Sequence, residues 1–246
     1  MRGSPSESGA SAVLDDLHVS LPWGDIDAWR EALEDEASDI AAVVVASDYA
    51  EMEKGREFLP ALRQLTRNHG CLLVMDEIVT GFRLAIGGAH EYFSIDPDMA
   101  VFAKAMANGM PVSAYVGRAD LIDLATSLGI SSTFGGETLS LAATRAVIRF
   151  YREHRVIDHI WEKGRMFSEG LQALFERHGL PASMRGVPPC PLIEFEEDDL
   201  LESFLRCAYQ SGVSLYTVPY VGYSHSEADI REAFERLEQA IKLMQR

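Results

Sequence analysis

The sequence predicts an α/β fold built on a mostly parallel sheet, followed by a smaller α+β module. Three observations carry this expectation. Short apolar runs alternate with stretches of helical spacing through the first half of the chain. Two of those runs, residues 71–75 and 99–102, lead into a charged side chain, Asp76 in the first case and Lys104 in the second. Beyond Tyr151 the pattern changes to helices and short strands punctuated by prolines.

Residues 1–20 form a polar leader with no signal-peptide apolar segment, expected to be disordered or the remnant of a gene fragment. Residues 25–33 read as a short helix with Asp25 as its cap. Residues 40–46 read as a buried strand by their length and β-branched residues. From 52 to 68 the spacing is helical, with Phe58, Leu62 and Leu65 on one face, and Gly70 ends the helix. The next strand follows at once, so residues 40–76 form a βαβ unit and imply parallel pairing. Residues 85–90 read as loop, Asp96, Pro97 and Asp98 as a turn, 111–117 as a strand and 118–128 as a helix. A small-residue loop at 131–138 opens a long helix from about Leu139. After it come a helix (158–178), a Pro-rich hinge (187–191), a strand (192–196), a helix (198–211), a strand (213–217) and a helix (227–245). The organisation expected is a leader (1–20), a large domain (21–154) and a small domain (155–246).

Bulk properties exclude several functions. With 47% hydrophobic and 24% charged residues the chain can bury a sizeable core. A formal net charge of −16 argues against nucleic acid and against an anionic membrane surface. No run approaches the ~18 apolar residues of a membrane span. Cys71, Cys190 and Cys207 are too scattered for a disulfide framework, and reduced thiols in the cytoplasm are the expectation. The seven histidines show no metal-ligand spacing, so no metal site is expected. Tyr216, Tyr220 and Tyr223 cluster near the end and read as packing or surface more readily than as a pocket.

The two charged strand ends carry the chemistry. In a parallel sheet ligands bind beyond the carboxyl ends of the strands. An acid and an amine delivered there suit pyridoxal 5′-phosphate (PLP), which needs a Schiff-base lysine and an anion beside its pyridinium nitrogen. Taken alone, Asp76 reads more ordinarily as a helix N-cap or as a salt-bridge partner of Arg83. As an acid ending an apolar strand, it needs a cationic partner if buried. Lys104 stands in a stretch with no other charge from 101 to 115, where desolvation would free its amine to attack an aldehyde. The loop 132–138 before a helix offers N–H groups and hydroxyls to a phosphate, though such runs are commonly only caps.

These segments, 76–83, 102–118 and 133–143, resemble the class III aminotransferase family, with glutamate-1-semialdehyde aminomutases among its nearest members. The resemblance runs from about Pro22 to the end. It implies the C-terminal part of a PLP fold-type-I large domain plus a small α+β domain, normally in a homodimer with active sites between subunits. It assigns Asp76 to the pyridinium nitrogen, Lys104 to the Schiff base, Ile78 to one ring face and Thr133 to the cofactor phosphate of a neighbouring subunit. Small-molecule amino donors and carbonyl acceptors are the implied substrates, with Lys104 shuttling the proton. Family members are longer, and their amino-terminal phosphate loop and stacking aromatic have no counterpart here. Ala46 and Ser47 stand where the family usually has Glu-Pro, and Gly136, Glu137 and Thr138 where it often has Gly-Asn-Pro. With part of the sheet missing, the expectation is exposed edges and a chain that aggregates or needs a complementary partner. The alternative function is a catalytically incomplete aminotransferase-fold assembly or partner module.

Overall fold

The computed structural model describes residues 17–36, 39–129 and 133–245. Most of the expected leader lies outside these, as do Ser131 and Ser132 of the small-residue loop. The first helix, α1 (Ile26–Glu36), starts after Asp25, whose Oδ1 accepts the Ala28 N–H at 3.1 Å, as its capping role requires. Strand β1 (Ala42–Ala46) is followed by a 3₁₀ turn (Met52–Lys54) and helix α2 (Gly55–His69). Gly70 closes α2 in the left-handed region at φ 69°.

Strands β2 (Leu72–Asp76), β3 (Met99–Phe102) and β4 (Ala114–Gly117) complete a four-stranded sheet in the order β1-β2-β3-β4. β1, β2 and β3 run parallel, and β4 pairs antiparallel with β3. β4 starts later than the sequence suggests because β3 ends at Phe102, opposite Ala114, and the Val112 N–H is committed to the Met110 carbonyl at 2.9 Å. A short helix, α3 (Ala89–Tyr92), begins inside the stretch read as loop.

The strand parity decides what the sheet covers. Val43, Val45, Leu73, Met75 and Ala100 are buried against Phe58, Leu59 and Leu62 of α2 in one core cluster. The opposite face is open, with Val44 66% exposed, and Tyr115 and Val116 of β4 are exposed too.

Helices α4 (Ala119–Ser127) and α5 (Thr138–Glu153) lead to α6 (Val156–Arg177). The Pro-rich segment is not a hinge. It is the turn of a hairpin between β5 (Ala182–Val187) and β6 (Cys190–Phe195), with Pro188 and Pro189 at the tip. β5 escaped the pattern because Arg185 and Gly186 break its alternation. Helices α7 (Asp198–Gln210) and α8 (Glu227–Met244) pack with α6 and β6 around Phe167, Leu171, Phe175, Ile193, Phe204 and Leu237. The stretch 213–217 is not a strand: Val213 N–H is committed to Ala208 O, and Ile193 N–H to Thr217 O at 2.8 Å is its tie to β6. The hairpin serves both cores, giving Val187 and Cys190 to the first and Ile193 and Phe195 to the second. Among the described residues no helix is long and apolar enough to cross a membrane.

Candidate active site

The parallel register brings Asp76 opposite Val101, at the carboxyl edge of two adjacent strands. Lys104 follows β3 by two residues, so both predicted groups leave the sheet at the same edge. Asp76 is half-buried rather than buried, because it shares the uncovered face with Val74 and Val44. Its Oδ1 accepts the Ile78 N–H at 2.9 Å, and its other oxygen has no hydrogen-bond partner among the described residues. The bond fixes the carboxylate and orders the first turn after the strand. Neither ordinary reading of Asp76 survives: no helix starts there, and Arg83 spends its guanidinium on carbonyl oxygens elsewhere.

Lys104 opens a 3₁₀ turn (Lys104–Met106) with φ 44°, a left-handed backbone that a lysine adopts only when its surroundings impose it. Its carbonyl accepts the N–H groups of Ala107 and Asn108, and Met106 and Ala107 are buried beneath it. Helix α5 packs against this turn. The side chain itself is exposed, so the desolvation expected from the sequence is not supplied by the described residues. Of the four lysines in the sequence, Lys54, Lys163 and Lys242 pair with Glu51, Glu162 and Glu238. Lys104 has no ion-pair partner among the described residues.

Ile78 is half-buried in the turn directly after Asp76. Thr133 is exposed ahead of α5, and nothing in the described structure joins it to Asp76, Ile78 or Lys104. The helix that follows the small-residue loop is capped from within the chain. The Glu137 carboxylate already accepts the Leu139 and Ser140 N–H groups, at 2.7 Å each, so the helix end is filled by the chain's own anion. The Thr133 hydroxyl remains.

Three features beside the site went unread in the sequence. Glu77 is fully buried and accepts bonds from the Ala89 N–H at 2.7 Å, the His90 N–H at 2.8 Å and the Thr80 hydroxyl, with His90 Nδ1 at 3.0 Å. Strand alternation was the available signal, since residue 77 falls on the same side as Leu73 and Met75. Asp98, before β3, holds Arg63 (2.6 Å), Arg118 (3.1 Å) and the Leu73 N–H (2.8 Å). Burial alone would raise its carboxyl, but these bonds outweigh burial and hold it at about 2. Tyr49, beyond the end of β1, has its phenol pushed well above the usual range, first by burial and then by Tyr220 and Cys190, with Asp76 adding its charge. It stays a neutral hydroxyl beside the acid.

The class III aminotransferase model matches residues 25–241. The chain belongs to the class III aminotransferase family. It is 28% identical to a glutamate-1-semialdehyde 2,1-aminomutase of Sulfurihydrogenibium sp. over 98% of its own length and 61% of the relative's. It is 30% identical to a 3-aminobutyryl-CoA aminotransferase of Cloacimonas acidaminovorans, over 89% of this chain and 56% of that one. Among solved structures, the PLP internal aldimine form of the FumI protein of Sphingopyxis sp. MTA144 superposes with a TM-score of 0.86 at 26% identity. That match covers 94% of this chain and 58% of the other. An omega-transaminase of Sphaerobacter thermophilus superposes at 0.86 with 19% identity, over 99% of this chain and 61% of the other, and shows the fold. The α/β fold-type-I expectation therefore holds, and the chain spans 61% of the length of the aminomutase it matches.

Proposed function

We propose that this chain carries the lysine and ring-nitrogen side of a PLP-dependent amino-transfer site, as an aminotransferase or aminomutase. The observation that supports it most is the delivery of Asp76 and Lys104 to one edge by adjacent parallel strands. The donor set fits the cofactor. An acid with a free oxygen suits a protonated pyridine nitrogen, an unpaired amine suits an aldehyde, and Ile78 suits an aromatic ring face. PLP, when bound, supplies the aldehyde and an electron-withdrawing ring. Asp76 keeps the proton on the ring nitrogen, and its bond from Ile78 keeps the carboxylate aimed. Lys104 Nζ anchors the aldehyde end and then takes and returns the proton at the amino donor's carbon. Thr133 is the residue proposed to reach the cofactor phosphate of a neighbouring subunit.

Small-molecule amino donors and carbonyl acceptors are the proposed substrates, with a homodimer or a complementary chain completing the pocket. The open sheet face and the exposed Lys104 support that need for a covering surface. We place the protein in the cytoplasm and the boundary between the two domains near residue 155. The filled helix end at Glu137 favours a second reading, an assembly or partner module without turnover.

A PLP titration followed by absorbance separates the two. The amino-transfer reading expects a saturable band near the visible edge that borohydride removes and that Lys104→Ala lacks. No band in the wild-type chain, alone or with a complete family member added as partner, supports the assembly module.

A further inference from the structure

The loop that follows Asp76 is tied at three consecutive residues to parts of the chain far away in sequence. The Phe82 carbonyl accepts the Tyr151 hydroxyl at 2.9 Å. Arg83 donates through Nε and Nη2 to the Pro189 carbonyl, at 2.9 and 2.7 Å, and through Nη2 to the Val221 carbonyl at 3.0 Å. The Leu84 carbonyl accepts the Trp161 Nε1–H at 3.0 Å. Thus α5, α6, the hairpin tip and the segment before α8 all grip residues 82–84.

Arg83 is the unusual member. Its guanidinium is half-buried and makes no ion pair with a described carboxylate. Neutral carbonyls take its N–H groups, and its Cζ lies 4.7 Å from the centroid of the Tyr220 ring. A cation held this way contributes through shape, because a planar fork satisfies two carbonyls and a ring at once, and an ammonium does not.

The grip reaches both halves of the site. Phe82 holds a left-handed backbone at φ 61°, a conformation that needs outside restraint in an aromatic residue. Its ring meets Tyr151 at 5.4 Å and Phe102 at 6.1 Å, edge to face. Phe102 ends β3, two residues before Lys104, and a Cβ at Gly81 would strike its ring. On the inner side Glu77 pins Thr80, Ala89 and His90.

We propose that Arg83 is a positioning residue that, with Tyr151 and Trp161, sets the placement of Asp76 relative to Lys104 by clasping the loop to the C-terminal part of the chain. The consequence is reciprocal: the clasp favours cofactor binding, and cofactor binding tightens the clasp. This second half rests on the PLP reading, and the first does not.

The test uses Arg83→Lys, Tyr151→Phe and Trp161→Phe in the full chain, with hydrogen exchange read first without cofactor. Each variant speeds exchange at the Ile78, Phe82 and Leu84 amides by about tenfold, a common size for coupling between two sites, and leaves α2 amides unchanged. Tyr151→Phe removes only the hydroxyl and Trp161→Phe keeps an aromatic side chain while removing the N–H, so Tyr151→Phe decides the matter should Arg83→Lys unfold. In the wild type, PLP slows exchange at Cys190 and Val221, and each variant weakens PLP affinity by about the same factor as it speeds the loop. Unchanged exchange at Ile78 in the variants overturns the clasp, with or without PLP. Faster exchange together with unaltered PLP affinity overturns the positioning role. A wild type that binds no PLP sinks the proposed function, and the cofactor-free exchange still judges the clasp.

Discussion

The two strand ends that deliver Asp76 and Lys104 are held in opposite ways. After β2, the chain from 77 to 90 is fastened on its inner side by Glu77 and on its outer side by Tyr151, Arg83 and Trp161. After β3, the lysine stands on a left-handed backbone with an exposed side chain that no described residue engages. The acid end is thus built by this chain. The amine end is only presented by it, with the Lys104 side chain exposed beside the open face of the sheet.

This contrast orders the consequences. Replacing Lys104 by Ala removes the amine without disturbing packing, so PLP anchoring is lost entirely and the melting temperature stays put. A fall in melting temperature would show that the lysine is structural and break the contrast. Glu77 marks the other extreme. Glu77→Ala leaves the Ala89 and His90 N–H groups and the Thr80 hydroxyl buried with no partner. At about 1–3 kcal/mol for each buried donor left unpaired, a loss of about 3 kcal/mol or more in denaturant unfolding is expected. Loss below about 1 kcal/mol would mean the loop is held by the outer clasp alone.

Much of this was legible in the residues and some was not. Asp76 and Lys104 were readable because each follows an apolar run of strand length. The parallel pairing was readable from a strand, a helix closed by Gly70 and another strand. Glu77 carried a signal in its parity, masked by its more conspicuous neighbour. Arg83 carried none: its partners are the carbonyls of Pro189 and Val221, and every residue has a carbonyl. β5 was hidden because Arg185 and Gly186 interrupt the alternation that marks a strand. The segment 213–217 alternates well, yet its ladder is cut short by the bond from Val213 N–H to Ala208 O. The left-handed backbone at Lys104 has no sequence mark, since lysine does not prefer it.

The contrast extends to acid. Asp98 fastens α2, β2 and the start of α4 to the start of β3, with its folded carboxyl at about 2 against an unfolded value of about 3.9. The depressed folded value means this stabilisation is complete above pH ~4 and is lost as the pH falls towards 2. It amounts to roughly 2 kcal/mol, read as the difference in acid unfolding between wild type and Asp98→Asn. An unchanged acid midpoint in the variant would remove Asp98 from the fastened region. The smallest effect belongs to the surface pair Glu227 and Arg231 on α8, both mostly exposed. Glu227→Ala costs no more than about 0.5 kcal/mol, and a larger loss would show that exposed ion pairs matter here as buried ones do.

The central claim is that Asp76 and Lys104 serve one cofactor. Borohydride reduction of the PLP-treated chain, followed by peptide mass mapping across Lys54, Lys104, Lys163 and Lys242, tests it most directly. The expected result is a phosphopyridoxyl mass on Lys104 alone, formed at low PLP in the wild type and only at much higher PLP in Asp76→Asn. Label spread evenly over the four lysines, or label on Lys104 indifferent to Asp76, would contradict it.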